Sequence, residues 1–147
     1  MCHVLEFRER IERMPLTLDV ADLLLSKLQI VELNEKDAQD VLYLLSAYPV
    51  REGDEPGSVG LDRIGVIVAG DWGWWRTLTM NVERIAELAT TMAAHLVPRG
   101  ASHDPVAQLR RIGEHAHAVP KTLRWRLRAR VGDRARWYQL PDEQPHD

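Results

Sequence analysis

Between Asp19 and Pro49 the chain lays down two leucine-rich helical faces in succession, and no other stretch constrains the fold as strongly. Val20, Leu23, Leu24, Leu28 and Val31 recur at i, i+3, i+4, i+8 and i+11, which places them on one stripe of an α-helix. Asp19, just before the stripe, offers the short acceptor of an N-cap. Asn34 is the next cap, and Asp37 at the N3 position echoes a capping box. The second helix then runs through Val41, Leu42, Leu44 and Leu45. It must stop before Pro49, because the residue preceding a proline avoids helical geometry. A helical hairpin over roughly the first fifty residues is the expected nucleus of the fold.

The rest of the chain continues in the same manner. "HVLEFRERIER" alternates loosely and fits an edge strand or a short turn of helix, and "PLTL" reads as extended. "VREGDEPGSVG" is a loop by composition. Leu61, Ile64, Val66, Ile67 and Val68 fit a buried strand or a short helix. Helix is favoured because Asp62 and Arg63 break the apolar run, although the β-branched residues argue the other way. "GDWGWW" forms a corner, after which Leu78, Val82, Ile85, Ala86, Ala89 and Met92 repeat at helical spacing over about residues 74–96. A helix over 105–118 and another from Lys121 to Val131 complete the pattern, Pro120 suiting a start and Gly132 an end.

The expected class is mainly α, of α+β derivation: a bundle of about five helices with a short N-terminal strand remnant. A length of 147 residues suits one domain spanning 1–147. Within it, 1–50 holds the strand and hairpin, 60–97 a helical pair with the tryptophan corner, and 105–140 a basic helical part. The single Cys2 leaves no disulfide framework to expect. No apolar run approaches the ~18 residues of a membrane span and no signal-peptide layout opens the chain, so no membrane partner and a cytoplasmic location are expected.

Charge marks two candidate sites. In the hairpin, Asp37 and Asp40 share a helical face at i, i+3, with Leu44 one turn beyond. An acid beside an apolar stripe is partly desolvated and needs a cation nearby. Lys27 from the preceding helix can reach it, as can Lys36 at i, i+4 to Asp40. An ordinary interhelical ion pair on a solvated edge would explain the same residues.

The stretch "LTLDVADLLLSKLQIVELNEKDAQDVLYLL" resembles the third motif region of the nucleotidyltransferase superfamily, and within it the AbiEii-type branch known from toxin components of toxin–antitoxin systems. In that branch a short strand leads into a helix carrying a lysine, and a Lys-Asp-x-x-Asp signature follows on the next helix. Here those positions are Lys27, Lys36, Asp37 and Asp40. The resemblance implies that Lys27 faces the triphosphate of a bound nucleotide and that Lys36, Asp37 and Asp40 order it. It also implies an NTP and Mg²⁺ wherever a complete site is assembled. The superfamily's Gly-Ser turn and Asp-x-Asp pair, whose carboxylates hold the metal, precede the lysine helix in relatives and are missing from the eighteen residues before Asp19. Gly57-Ser58 comes too late. The expectation is therefore a truncated, decayed or partner-completed relative that does not transfer nucleotides as it stands.

The second candidate lies in "PKTLRWRLRARVGDRARWYQL". From Val106 to Arg136 nine cationic side chains face Glu114 and Asp133, nine minus two giving +7. The first 105 residues carry ten minus seventeen, or −7. Arg124, Arg126, Arg128 and Arg130, with Trp125, Trp137 and Tyr138 nearby, could contact phosphates and stack on bases of an RNA. Alternatively their stems cover the bundle while their heads pair with the acidic half. A non-catalytic helical module that binds RNA or a protein through this part is the rival to the nucleotide reading. Trp72, Trp74 and Trp75 suit core anchors, or a partner or dimer interface if exposed. His115 and His117 are two apart and cannot share a helical face, so with His103 they make no metal motif.

Overall fold

The computed structural model describes residues 3–8, 10–12, 17–91 and 100–139. The protein is mainly α-helical, with six helices among the described residues. α1 spans Val20–Leu28 and begins where Asp19 accepts from the Ala21 N–H at 3.0 Å. It stops short of Val31. Asn81, reaching across from α4, donates through Nδ2 to the carbonyls of Leu28 and Ile30 at 2.9 and 2.8 Å and so satisfies the orphan acceptors of that end. α2 spans Glu35–Ala47 and opens with both halves of the capping box between Asn34 and Asp37.

Among the described residues the short strands lie after the hairpin. β1, Val50–Arg51, pairs in parallel with β2, Val59–Gly60, with Val50 opposite Val59. The turn between them comes so close that a Cβ on Gly60 would sit 2.6 Å from the Gly53 carbonyl oxygen. No strand forms over residues 3–8 or 10–12, and residues 15–16 of the "PLTL" stretch lie outside the described residues. α3, Leu61–Gly70, leaves β2 directly, so the apolar run at 61–68 is a helix. α4, Trp72–Thr91, starts two residues earlier than the spacing suggests, because Asp71 Oδ1 accepts from the Trp74 N–H at 3.1 Å and acts as a cap. Residues 92–96 of the expected helix lie outside the described residues. α5 is Pro105–Ala118, with Asp104 accepting from the N–H groups of Val106 and Ala107. α6 is shorter than expected, Leu123–Ala129, and a 3₁₀ turn at Gly132–Arg134 follows it.

α5 packs across α4, α2 and α3 and closes one continuous core. Leu24, Leu28, Leu42, Leu45, Ile64, Leu78, Ile85, Leu109 and Ile112 are wholly buried in it. Gly113 sets the approach of α5 to α4, since a Cβ there would lie 2.9 Å from Val82 Cγ1. Gln108 clamps the end of α2 to β1. Its Nε2 donates to the carbonyls of Leu45 and Tyr48, and its Oε1 accepts from the Val50 N–H. No helix among the described residues is long and apolar enough to cross a membrane.

Candidate functional site

Lys27 occupies the last turn of α1, while Asp37 and Asp40 occupy the first two turns of α2. The hairpin brings Lys27 Nζ to 2.7 Å from Asp40 Oδ2 and 3.7 Å from Asp37 Oδ1. The hydrogen bond to Asp40 outweighs partial burial and raises the lysine pKa, so the ammonium is held charged and in place. Asp37 also closes the capping box of its own helix, which fixes its carboxylate. Lys36 is exposed and makes no ion pair among the described residues, so the contact to Asp40 that its spacing allows is not made. Beside the Lys27–Asp40 pair runs a groove of about 380 Å³, walled otherwise by Leu23, Tyr43, Leu44, Ala47 and Tyr48. The ion pair is the one charged feature of that wall.

The tryptophan corner is divided between two tasks. Trp74 is core: its Nε1 donates to the Val4 carbonyl at 3.0 Å and its ring packs on His3 at 5.2 Å, anchoring the N-terminal segment. Trp72 and Trp75 instead meet the C-terminal part. Trp75 lies edge-on to Trp125 at 5.2 Å, and Trp72 edge-on to Trp137 at 5.8 Å. Trp72 and Trp74 are thus buried and Trp75 partly so, all three packed against the chain's own residues, which is the core-anchor alternative and not an exposed partner surface.

Above Trp72 opens a second cavity of about 430 Å³ between the start of α4, α6 and the segment after it. Arg124, Arg128 and Arg136 line it together with Trp125, Trp137 and Tyr138. The Arg128 guanidinium lies 4.6 Å from the Trp72 ring centre, oriented by its bonds to the carbonyls of Gly132 and Ala135. Arg136 lies 4.9 Å from the Tyr138 ring. The fork of Arg76 ties the 3₁₀ turn to α4 through two 3.0 Å bonds to Asp133, and holds that carboxyl below the usual range. At the cavity rim, burial lowers the His3 pKa, with Asp71 opposing. Arg126 and Arg130 are exposed and lie outside the cavity lining. None of Arg124, Arg126, Arg128 and Arg130 pairs with an acid among the described residues, so the basic helix does not spend its charge on the acidic half.

A third cluster carries most of the buried charge, and the sequence reading missed it. Asp22 is fully buried on α1, and its two oxygens accept from Arg10 Nε and from Arg63 Nε, the latter at 2.9 Å. Arg10 also forks onto Asp54 at 2.5 and 3.0 Å and reaches Asp19 at 3.6 Å. Burial would lower the Arg10 pKa, but the hydrogen bonds to Asp54 and Asp22 outweigh it and raise it. Arg63 Nη2 donates to the Glu6 carbonyl at 3.0 Å. The network welds the N-terminal segment, α1, the β1–β2 loop and α3 together. One signal was available: Leu25, off the predicted stripe, shares a face with Asp22 and Gln29, which means α1 is buried on two sides.

Among the described residues no three His, Cys, Asp or Glu side chains converge as a metal site. No family model, no curated protein and no solved structure matches the chain.

Proposed function

We propose that the chain is a nucleotidyltransferase-like protein of the AbiEii-type branch. In this reading it retains the helical hairpin against which a nucleotide's phosphates rest, and it does not transfer nucleotides by itself. The observation that supports the reading is the Lys27–Asp40–Asp37 constellation. A lysine that meets phosphate must stay protonated and fixed in direction, and the 2.7 Å bond to Asp40 provides both. The groove alongside leaves room for the ligand to approach Nζ from the open side.

Lys27 and Lys36 balance Asp37 and Asp40, so the hairpin has no surplus positive charge to bind a free triphosphate tightly. The residues present do not fit the metal that the resemblance implies. The sequence contains no Asp-x-Asp, and the hairpin acids are engaged with Lys27 and with the helix cap. No step is assigned to Mg²⁺ in this chain, whose part in the reading is to position phosphate.

A thermal-shift titration with each NTP, with and without Mg²⁺, tests this. A ligand at about 100 times its Kd adds about 2.7 kcal/mol, or roughly 5–10 °C in a domain of this size. The ligand-induced increment should disappear in Lys27→Ala, whatever that change does to the ligand-free melting temperature. An increment that survives in Lys27→Ala, or none with any NTP at millimolar concentration, overturns the proposal.

A further inference from the structure

We infer that the cavity between the start of α4 and α6 is a binding site for single-stranded nucleic acid, with a base against its aromatic wall and the flanking phosphates on its arginines. The inference is independent of the hairpin and goes beyond the phosphate-positioning role proposed for it.

α6 itself makes the first point. A helix kept for the core buries a stripe, yet no residue of Leu123–Ala129 is buried. Its contribution to the fold is the partly buried Trp125 and Arg128, while Arg126 projects outward. Because the segment is helical, Arg124 and Arg128 fall at i, i+4 on one face, and both line the cavity. Arg126 and Arg130, which alternate with them in sequence, do not.

The second point is charge. Arg124, Arg128 and Arg136 line the cavity with Asp71 as its one acid, three minus one leaving +2. Asp133, which also feels Arg128, lies outside the lining and is taken up by Arg76. Asp71 is occupied as the cap of α4. Burial keeps rim His3 disposed to the neutral form. The acidic half of the chain offers these arginines no ion pair among the described residues, so the field stays open to an outside anion.

The third point is the combination of rings with cations. Trp125, Trp137 and Tyr138 are only half-buried at the wall, beside guanidinium groups 4.6 and 4.9 Å from the ring centres of Trp72 and Tyr138. A simple anion would need the arginines and not the rings, and an apolar ligand the reverse. A nucleotide unit in a strand needs both, because its base has a stacking face and its phosphates a charge. A cavity of about 430 Å³ accommodates one such unit, within the ~300–1,000 Å³ of ordinary ligand sites. A paired base presents no free face, so the site selects unpaired strands. On another side of α6, Leu123 and Leu127 are exposed, as is Val131 just beyond its end, and nothing in the structure shows what covers them.

The test is fluorescence anisotropy of labelled decamers at low salt: single-stranded RNA, single-stranded DNA, and the RNA duplex. The intact chain, Arg124→Glu, Trp125→Leu and Lys27→Ala are compared. Arg124 has no hydrogen-bond or ion-pair partner among the described residues, so its substitution leaves the fold intact, whereas Trp125→Leu also removes the ring packed on Trp75. Binding of single strands should weaken at least tenfold in Arg124→Glu with an unchanged melting temperature, and should be unchanged in Lys27→Ala. The slope of log K against log salt should fall by about 0.7 for the lost phosphate contact. RNA against DNA identifies which strand the site prefers. Equal binding of the duplex, no binding of any strand, or Arg124→Glu without effect overturns the inference. Capture of a protein through Leu123 and Leu127, with no oligonucleotide bound, would do the same.

Discussion

Replacing Asp22 by Asn keeps the shape of the side chain and removes its charge, which isolates what the buried network contributes. Both carboxylate oxygens accept from guanidinium Nε–H groups, one of Arg10 and one of Arg63 at 2.9 Å. An amide can serve one of them and must turn its own N–H₂ toward the other. Arg10 keeps Asp54 and Asp19, so Arg63 bears the loss, with only the Glu6 carbonyl left to it. A buried pair broken on one side costs about 3–5 kcal/mol. Arg63 retains 16% side-chain exposure and can recover some water, which favours the lower end, about 3 kcal/mol. At roughly 2–4 °C per kcal/mol for a chain of this size, the melting temperature should fall by about 6–12 °C. The assay is urea and thermal unfolding at neutral pH, with Asp62→Asn as the exposed neighbour control. The double change Asp22→Asn with Arg63→Gln should recover part of the loss, because it removes the stranded charge. A loss below about 1 kcal/mol, no larger than the control's, would refute the claim that this network holds four segments together.

Other consequences can be measured the same way. Asn81→Ala orphans the carbonyls of Leu28 and Ile30 in a buried position and should cost about 2–3 kcal/mol by urea unfolding; a neutral result would mean α1 does not depend on α4 for its C-terminal end. Gly113→Ala places a methyl group 2.9 Å from Val82 Cγ1 and should cost about 1–3 kcal/mol, with Val82→Ala in the same chain relieving part of it. The depressed His3 pKa means the unfolded chain binds the proton more readily. Its stabilising contribution is complete above about 6.5 and is lost as pH falls through the lower folded value. Neutral His3 suits its neighbour, since Thr77 Oγ1 accepts from Trp137 Nε1 at 3.1 Å and can give its own proton to His3 Nε2 at 2.8 Å. Melting curves of His3→Gln should therefore fall less steeply than the parent's as the solution is acidified, and parallel curves would remove His3 from the account.

How much of this was legible depended on the range of the forces involved. The hairpin was readable because its determinants are local: the leucine stripe, Asp19, and the Asn34–Asp37 box act within one or two turns. The cap at Asp71 is local too, but the aromatic cluster around it reads as a corner, which shifted the start of α4 by two residues. β1 and β2 have two residues each and carry no alternation to detect; their pairing is imposed by the close turn at Gly53 and Gly60. The Arg10–Asp22–Arg63–Asp54 network joins four distant segments, and no spacing rule reaches that far. At the candidate sites, sequence placed Lys27 beside Asp37 and Asp40, as the structure does. It could not say which arginines would face the tryptophans, since alternation leaves strand and helix faces open. The helical geometry of α6 selects Arg124 and Arg128.

The most direct test of the central claim is to trap a nucleotide where it rests. The protein would be irradiated with an azido-purine triphosphate and digested, and the labelled peptide sequenced by mass spectrometry. Labelling within α1 and α2, competed by unmodified NTP and abolished in Lys27→Ala, is the predicted result. A label confined to the Trp72–Arg128 cavity, or one unchanged in Lys27→Ala, would contradict the assignment of the hairpin as the phosphate-contacting element.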